Sequence, residues 1–264
     1  MNVLAVIPAR LAATRFPGKP LADLHGLPMV MHCYFRTCLS ELIDGAVIAT
    51  CDPEIADVAQ QFGAPVVMTS EQHLNAVDRT AEAVRTIKAS STAQPDVVVL
   101  VQGDEPLLDP GTLDLLVSTI TAAPTVDVLN VMVPFANYED FLDRNSPKVV
   151  VDANGYALYM SREAIPSAKH SWDPSIAHMQ TGLFAFRPAA LQLFAETGRT
   201  ALEAAESIDM LRVLHSGKQV RMLRVDERTI GVDTPQDLDR VHDLLYSDQI
   251  FPTYRDFDRA PTAD

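Results

Sequence analysis

Positive charge is scarce in this 264-residue sequence. It contains 21 Lys and Arg residues against 35 Asp and Glu residues, which leaves a formal net charge of −14 at pH 7. Proteins that bind nucleic acids generally carry a basic surplus, so the charge balance argues against a nucleic acid as partner. The hydrophobic fraction of 47% is sufficient for a large core, either in one α/β domain or in two smaller ones.

Long apolar runs are also missing. Runs such as Val97 to Val101 fall far short of the roughly 18 residues that a membrane-spanning helix needs. The apolar stretch from Val3 to Ile7 precedes Arg10 instead of following a basic region, which is the wrong order for a secretory signal. We therefore expect a soluble protein without membrane association.

Cysteine is rare, with three residues at positions 33, 38 and 51. Their number is odd and their spacing does not match that of metal ligands, so we expect a reducing, cytoplasmic environment. Cys33 and Cys38 fall in an apolar helical pattern, which predicts small buried side chains instead of reactive thiols.

The first half of the chain alternates short β-rich apolar runs with amphipathic stretches of helical length. This alternation is typical of βαβ units around a parallel sheet and predicts an α/β fold with a doubly wound, mostly parallel nucleotide-binding sheet. The predicted strands are Val3 to Ile7, Ala46 to Ala49, Pro65 to Met68, Val97 to Val101 and Val126 to Val133. The predicted helices are Pro28 to Leu42, Pro53 to Phe62, Asp78 to Lys88 and Pro110 to Ala122.

The second half contains a predicted β-hairpin. Lys148 to Val151 and Tyr156 to Met160 flank a turn with an Asn-Gly pair, which is a strong hairpin signal. Further elements are predicted at Leu183 to Phe186 (strand), Leu202 to Leu214 (helix), Val220 to Val225 (strand) and Pro235 to Tyr246 (helix). Without a repeat or linker, the sequence favours a single domain over residues 1–246, with a hairpin arm inserted at about 147–187. Residues 247–264 are expected to form a loosely held polar tail.

An anion site is predicted directly after the first strand. The first 22 residues contain Arg10, Arg15 and Lys19 but no acidic residue, and open α/β sheets bind ligands where their strands end. The backbone N–H groups and three cations of this loop suit a triphosphate. The loop is not a Walker A motif, because Ala13 and Pro20 replace its first Gly and its Ser or Thr. The alternative is three surface cations without a ligand.

Two further segments carry acidic residues. Gln102-Gly103-Asp104-Glu105-Pro106 follows the most apolar predicted strand, where Asp104 is suited to hold Mg²⁺ against phosphate oxygens; the alternative is a turn residue that caps the next element. Gly231-Val232-Asp233-Thr234-Pro235 precedes the last predicted helix, so Asp233 or Thr234 is alternatively a helix N-cap. The spacing does not indicate whether Asp233 meets Asp104.

Taken together, these segments resemble the CTP-dependent cytidylyltransferases that activate acidic sugars, specifically the 3-deoxy-manno-octulosonate (KDO) cytidylyltransferase family, also called CMP-KDO synthetases. The likeness extends from about residue 2 to residue 246. It rests on ordered matches at Val6 to Arg10, Thr14 to Leu21, Gln102 to Pro106, Lys148 to Pro166, Leu211 to Leu214 and Gly231 to Pro235.

The resemblance implies a nucleotidyltransferase in which an acceptor oxygen attacks the α-phosphorus of CTP and pyrophosphate leaves. It implies that Arg10, Arg15 and Lys19 bind the CTP phosphates, with Gln102 also at the nucleotide. It assigns Asp104 and Asp233 to Mg²⁺, and Lys19, Arg15 and Asp104 to catalysis. In the family the hairpin contributes to a dimer interface, so the expected partners are CTP, a small acid and a second copy of the chain.

Two departures from the family pattern affect substrate specificity. Where the family has His-x-Ser-Gly-Thr-Asp/Glu-Arg against the base, the chain keeps His73 and Arg79 but has Asn75, Ala76 and Val77 at the centre. We expect His73, Asn75 and Arg79 to bind the nucleotide, while cytosine selectivity is open. The family's acceptor motif is two residues longer here and ends in Phe184 instead of a tyrosine, which removes a hydroxyl.

The acceptor is therefore predicted to contact Gln102, Arg162, His178, Gln180 and Phe184, and two acceptors remain open. One is KDO itself. The other is a small phosphonate such as phosphonoformate, whose charges would be met by Arg162, Lys169, His170 or His178. Trp172 either covers the acceptor or simply packs, and a helical face with Glu203, Glu206 and Asp209 is expected to be solvated.

The sequence disfavours two other functional classes. A non-catalytic nucleotide-binding homologue is disfavoured because all five charged residues of the phosphate and metal sites are present. An NAD-dependent oxidoreductase is disfavoured because the sequence has no G-x-G-x-x-G fingerprint.

Overall fold

The computed structural model describes residues 1–12, 15–90, 94–169, 171–226 and 230–256. The chain forms two compact units, of which unit 1 comprises Met1–Leu115 and Thr229–Asp264 and unit 2 comprises Leu116–Arg228. The single domain expected over residues 1–246 stays a prediction.

Unit 1 contains a parallel sheet. Its strands are β1 (Val3–Ala9), β4 (Gly45–Thr50), β5 (Val66–Met68) and β6 (Val97–Val101), in the order β6-β1-β4-β5. All five residues of β6 are buried, as expected for a continuous apolar run that is covered on both faces. A two-stranded antiparallel ladder joins β2 (Asp23–Leu24) and β3 (Leu27–Pro28).

Unit 2 contains a mixed set of strands. They are β7 (Val128–Pro134), β8 (Lys148–Val151), β9 (Ala157–Ser161), β10 (His178–Phe186) and β11 (Arg221–Arg224). β11 pairs with β7 in parallel, whereas β10 pairs with β7 and β8, and β8 with β9, in antiparallel fashion. The predicted hairpin is confirmed, since Gly155 has a φ of +79° and Asp152 Oδ1 accepts the N–H groups of Asn154 and Tyr156.

The helices lie between the strands as the alternating pattern predicts. They are α1 (Met29–Cys38), α2 (Pro53–Gln61), α3 (Ala76–Ser90), α4 (Pro110–Ala122), α5 (Tyr138–Leu142), α6 (Pro188–Glu196), α7 (Ala201–Glu206), α8 (Met210–His215) and α9 (Pro235–Leu245). Four of them begin with proline, which costs no hydrogen bond in the first turn. The α/β fold, with a mixed, mostly parallel sheet flanked by helices, is confirmed. Within the described residues, no helix is both long and apolar enough to cross a membrane.

The single helix predicted from Leu202 to Leu214 is wrong, because the structure has two helices there. Ser207 ends α7 in the left-handed region with a φ of +52°, and its N–H donates to the carbonyl of Glu203 at 2.8 Å. A capping box between Thr200 and Glu203 begins α7. The periodic apolar pattern extends across this break, so periodicity alone does not reveal it.

The expected solvated face with Glu203, Glu206 and Asp209 is also wrong. Glu203 is 2% exposed, and its carboxylate accepts from Nε and Nη2 of Arg212 at 2.8 and 2.6 Å. Glu206 accepts from Ser161 Oγ and from the N–H of Arg162, while Asp209 is partly buried at the start of α8. The break at Ser207 separates α7 from α8, whose Arg212 pairs with Glu203, while Glu206 binds donors of the hairpin.

The prediction of a loosely held tail after residue 246 is wrong for the part that the structure describes. Residues 251–253 form a 3₁₀ helix, and Phe251 and Tyr254 are buried. Two aromatic residues supply enough apolar surface to anchor a segment that is otherwise polar. Residues 257–264 lie outside the described residues.

The predictions for the cysteines are confirmed in part, and one of the two alternatives for Trp172 agrees with the structure. Cys33 is buried and burial raises the pKa of its thiol, which confirms an inert packing role, but Cys38 lies exposed at the end of α1, because the helix ends there. Trp172 packs beside the cluster of Phe135, Phe141 and Ala177, in agreement with the packing alternative.

Replacing Glu203 with Ala should strongly destabilise the fold. The change leaves the Arg212 guanidinium buried without its carboxylate, and breaking one side of a buried ion pair costs about 3–5 kcal/mol. Urea unfolding followed by circular dichroism measures this cost. Glu196→Ala is the matched control, since Glu196 is an exposed acid in the same unit, and its effect should stay within about 0.5 kcal/mol. Equal effects of the two changes would contradict the structural role of Glu203.

Candidate active site

The loop after β1 folds back on itself and returns Lys19 to the end of the strand. The N–H of Leu11 donates to Asp52 Oδ2 at 2.7 Å, and the N–H of Gly18 donates to the Leu11 carbonyl at 3.2 Å. Gly18 has a φ of +75°, which favours glycine. Directly after it, residues 19–21 form a short 3₁₀ helix that holds the Lys19 backbone.

The segment after β6 passes very close to this strand end. A Cβ atom on Gly103 would lie 3.1 Å from the carbonyl oxygen of Pro8, so a larger residue would push the two segments apart. Because β1 and β6 are parallel neighbours, their carboxyl ends meet at the same edge of the sheet. The backbone carbonyl of Asp104 also accepts from the N–H of Val232 at 2.8 Å, which brings the third segment to the same place.

Lys19 joins the three segments through its side chain. Its Nζ lies 2.8 Å from Asp104 Oδ2, 2.6 Å from the carbonyl oxygen of Val232 and 3.6 Å from Asp233 Oδ1. The Lys19 side chain is 12% exposed, whereas Arg15, whose Nη2 lies 3.1 Å from Asp233 Oδ1, is about half exposed. The sequence did not indicate whether Asp104 and Asp233 meet. In the structure, both carboxylates lie next to the same ammonium group.

The N-cap alternative applies to Thr234 and not to Asp233. Thr234 Oγ1 accepts from the N–H of Asp237, and the Asp237 carboxylate accepts from the N–H groups of Thr234 and Asp233 at 2.9 and 3.1 Å. Asp237 thus fixes the loop and leaves the Asp233 carboxylate to the cations. Sequence reasoning missed Asp237, although an acid three residues after a Thr before a helix is a capping-box signal.

The acid pair suits a divalent cation that is shared with phosphate. Mg²⁺ is commonly held by one or two carboxylates together with substrate phosphates, and Asp104 and Asp233 supply two such oxygens around a single point. Within the described residues, no group of three or more His, Cys, Asp or Glu side chains forms a site held by protein alone. The donors therefore fit a metal that arrives with a nucleotide.

We call residues 8–20 the phosphate loop and residues 73–79 the base loop, after their predicted roles. The base loop contacts the phosphate loop through Arg10. Arg10 Nη1 donates to the His73 carbonyl at 3.5 Å, and His73 Nε2 pairs with the Glu82 carboxylate on α3. Asn75 Oδ1 accepts from the N–H of Asp78 at the start of α3. Arg79 is 2% exposed; its Nη1 donates to Thr69 Oγ1, while its Nη2 has no partner among the described residues. Nucleotide contacts of these residues stay predictions.

The predicted acceptor residues lie in both units. Gln102 belongs to unit 1, directly after β6. In unit 2, Arg162 donates through Nε, Nη1 and Nη2 to the backbone carbonyls of Glu206, Arg144, Asn145 and Ser207. This arrangement ties the hairpin to neighbouring loops. An additional role of Arg162 at the acceptor stays a prediction.

His178, Gln180 and Phe184 lie on β10. Both ring nitrogens of His178 and Oε1 of Gln180 are buried without a hydrogen-bond partner among the described residues. Burial and the Arg224 charge lower the pKa of His178 and outweigh an opposing interaction with the Ile176 backbone, which favours the neutral form of the ring. Phe184 is buried and stacks on Phe186. Lys169 is exposed, while His170, like Ala13 and Thr14 of the phosphate loop, lies outside the described residues.

Comparison with known proteins identifies the family. The sequence profile of the family described as Cytidylyltransferase matches residues 4–224, a range that includes most of β1, the phosphate loop and the loop after β6. The chain belongs to the cytidylyltransferase family. This cytidylyltransferase is thus an enzyme of the nucleotidyltransferase class, and it uses CTP.

Individual relatives cover nearly the whole cytidylyltransferase chain. It is 41% identical over 255 residues to the 3-deoxy-manno-octulosonate cytidylyltransferase of Geobacter sulfurreducens, which covers 93% of this chain and all of the relative. It is 38% identical over 260 residues to the enzyme of the same name from Geobacter metallireducens, with 95% and 100% covered. The predicted family resemblance is confirmed.

Solved structures agree with this result. A CMP:2-keto-3-deoxy-manno-octonic acid synthetase complexed with CTP superimposes with a TM-score of 0.85 at 30% identity, over 94% of this chain and 99% of the other. A cytidylyltransferase from Leptospira borgpetersenii has a TM-score of 0.63 at 16% identity, over 100% and 99% of the two chains, and shows the shared fold only.

Glu82→Gln should weaken the base loop and alter its response to acid. Burial raises the pKa of Glu82, but hydrogen bonds from the Ser70 N–H and from His73, together with the His73 and Arg85 charges, outweigh burial and lower it overall. The carboxylate therefore stabilises the native state above its unfolded pKa near 4.5, and this contribution is lost as pH falls through the lower native pKa.

We expect Glu82→Gln to lower the free energy of unfolding by about 1–2 kcal/mol at pH 7. Between about pH 5 and about pH 3, the free energy of unfolding should fall less steeply in the variant than in the wild type. Urea unfolding across this pH range provides the measurement. Glu71→Gln, an exposed acid just before the base loop, should resemble the unmodified protein. A wild-type acid profile in Glu82→Gln would contradict the assignment.

Proposed function

We propose that this chain transfers CMP from CTP to KDO or a closely related 3-deoxy ulosonic acid, with release of pyrophosphate. One observation carries the proposal: Lys19, Asp104 and Asp233 converge at the carboxyl edge of the unit 1 sheet. The named activity of relatives that are identical at 38–41% of positions over nearly the full chain supports KDO as the acceptor.

The phosphate loop supplies the charge that this reaction needs. Arg10, Arg15 and Lys19 form a cationic surface for the triphosphate, in a protein that is otherwise strongly acidic. The acceptor oxygen forms a bond to the α-phosphorus, the bond between this phosphorus and the pyrophosphate oxygen breaks, and the acceptor proton is released. Because the leaving group gains negative charge, fixed cations favour the transition state over the ground state.

Lys19 is suited to this task because its position is imposed by the protein. Its ammonium donates to the Val232 carbonyl as well as to Asp104, so little reorganisation is needed when phosphate approaches. Asp104 and Asp233 would hold Mg²⁺, which supplies neutralisation of phosphate charge and alignment of the reacting groups when bound.

The acceptor is proposed to contact β10 of unit 2. The unpartnered polar atoms of His178 and Gln180 suit a ligand rich in hydroxyl and carboxylate groups, because buried polar groups require hydrogen bonds. Phe184 supplies no hydroxyl, which leaves phosphonoformate or another small phosphonate as the competing acceptor. Near-complete coverage of the KDO enzymes supports KDO over the phosphonate as the proposed acceptor.

The remaining expectations concern assembly and location. We propose a homodimer formed through the hairpin arm, where Leu158 on β9 is 64% exposed and would gain from burial. We propose a cytoplasmic location because Cys33, Cys38 and Cys51 are all unpaired, as is usual in a reducing compartment.

A pyrophosphate-release screen tests the acceptor. Purified protein with CTP and Mg²⁺ should release pyrophosphate rapidly with KDO, and slowly with phosphonoformate or without an acceptor. Rapid release with phosphonoformate alone would replace KDO by the phosphonate, and no release with any ulosonic acid or small phosphonate would overturn cytidylyl transfer. ATP, GTP and UTP in parallel reactions determine base selectivity.

Asp104→Asn should lower kcat by about 10²–10³-fold or more, because the neutral amide is a poor ligand for the metal and weakens the charge pattern around Lys19. The fold should persist, since the amide is isosteric with the carboxylate. Steady-state pyrophosphate release and circular dichroism provide the two measurements. Asp57→Asn changes an exposed acid on α2 and should leave kcat unchanged. Near-normal turnover of Asp104→Asn would exclude this residue from the metal site.

A further inference from the structure

A buried arginine on α1 connects the end of the chain to the loop that carries Asp104. Arg36 is 1% exposed, and each of its guanidinium nitrogens has a partner on another segment. Nη2 pairs with the Asp248 carboxylate, Nε donates to the Tyr254 hydroxyl at 2.9 Å, and Nη1 donates to the Leu108 carbonyl at 3.1 Å. We call residues 248–254 the C-terminal strap and residues 102–108 the acid loop.

The acid loop is held at three points along its length. Its beginning lies against β1 at Gly103, and its middle accepts from Val232 N–H at the Asp104 carbonyl. Its end is held by Arg36 at Leu108, a fully buried residue whose N–H donates to the Glu105 carbonyl at 3.1 Å. The residue adjacent to Asp104 is therefore linked to Arg36 through two hydrogen bonds.

The strap completes this arrangement with a hydroxyl group that has two partners. His32 Nε2 lies 2.9 Å from the Leu24 carbonyl, and His32 Nδ1 lies 3.0 Å from the Tyr254 hydroxyl. Because a carbonyl can only accept, Nε2 of the neutral ring carries the proton and Nδ1 accepts from Tyr254. The Tyr254 oxygen in turn accepts from Arg36. Burial, which lowers the pKa of His32 to about 4, keeps the ring in this neutral form.

We propose that Arg36 is a positioning residue for the reaction, and that the C-terminal strap holds it so that the acid loop keeps Asp104 beside Lys19 and Asp233. This inference rests on the proposed function, in which Asp104 is a metal ligand. A guanidinium suits the task because its planar fork reaches three acceptors at once. Its burial would be costly without them, so loss of a strap contact is transmitted to the Leu108 contact.

A positioning role predicts a specific kinetic pattern. Arg10 and Arg15 belong to the phosphate loop, and no contact described for Arg36 reaches either of them, so the KM for CTP should change less than twofold when the strap is weakened. The kcat value should fall about 5–20-fold, as expected when a catalytic group is displaced without being lost. The Mg²⁺ concentration needed for half-maximal rate should rise by a similar factor.

Tyr254→Phe is the test variant, because it removes one hydroxyl from the strap and keeps the buried ring. Ile55→Val is the matched control: Ile55 is fully buried on α2 of the same unit, and the expected loss of stability is similar to that from the loss of one hydrogen bond. Both proteins are assayed well below their unfolding temperatures, at equal concentrations of folded enzyme.

The proposal expects a lower kcat and a raised Mg²⁺ requirement in Tyr254→Phe, with wild-type values in Ile55→Val. Unchanged kinetics in Tyr254→Phe at a comparable loss of stability would overturn it, because the network would then be structural only. Asp248→Asn, which weakens the second strap contact, should reproduce the Tyr254→Phe pattern.

Hydrogen exchange separates failure of this proposal from failure of the proposed function. If the wild-type protein released no pyrophosphate with any acceptor, the function would be wrong, while the link from strap to acid loop could still be measured. The backbone amides of residues 102–105, 107 and 108 should exchange at least fivefold faster in Tyr254→Phe than in Ile55→Val. A fivefold ratio corresponds to about 1 kcal/mol in the free energy of local opening. Equal exchange of these amides in the two variants would overturn the link.

Discussion

One ammonium group holds together the three segments on which the site depends. The Lys19 nitrogen lies within 3.6 Å of two carboxylates and a backbone carbonyl, and these acceptors come from segments far apart in the sequence. In this state Lys19 and Arg15 together balance the charges of the two acids, which would otherwise repel each other. In the proposed reaction, a triphosphate and a divalent cation would give the same charged groups new partners of the opposite sign.

Several residues around Lys19 allow these three segments to meet. Gly18 permits the left-handed turn before Lys19, and Gly103 permits the close approach of the acid loop to β1. Asp237 fixes the third segment by capping α9, which leaves the Asp233 side chain available. The overall charge of −14 is consistent with this local chemistry, because the first 22 residues carry cations alone and two of the acids elsewhere pair with those cations.

The sequence predicted the parts of the fold that depend on local periodicity. The strand from Val97 to Val101 and the helix from Pro110 to Ala122 were predicted with the bounds that the structure has, because a continuous apolar run and a proline-initiated amphipathic stretch each specify one element. The break at Ser207 was missed, since a single left-handed residue does not interrupt the apolar pattern.

The site was predictable as a set of residues but not as a geometry. The family motifs indicated Lys19, Asp104 and Asp233, yet spacing along the chain contains no information about which side chains meet. Long-range partners explain the other errors as well: Glu203 is buried because Arg212 reaches it, and the strap is ordered because Arg36 and His32 bind Tyr254. Polar composition indicates exposure only when no buried partner of opposite character exists.

A double-mutant cycle on Asp104→Asn and Asp233→Asn tests most directly whether the two carboxylates form one site. The kcat/KM for CTP is measured for the wild type, both single variants and the double variant under saturating acceptor. If both acids bind one cation, the double variant should be only slightly less active than the less active of the two single variants, because the first change already disables the site. Losses that multiply would mean that the two residues act independently, and would contradict the account.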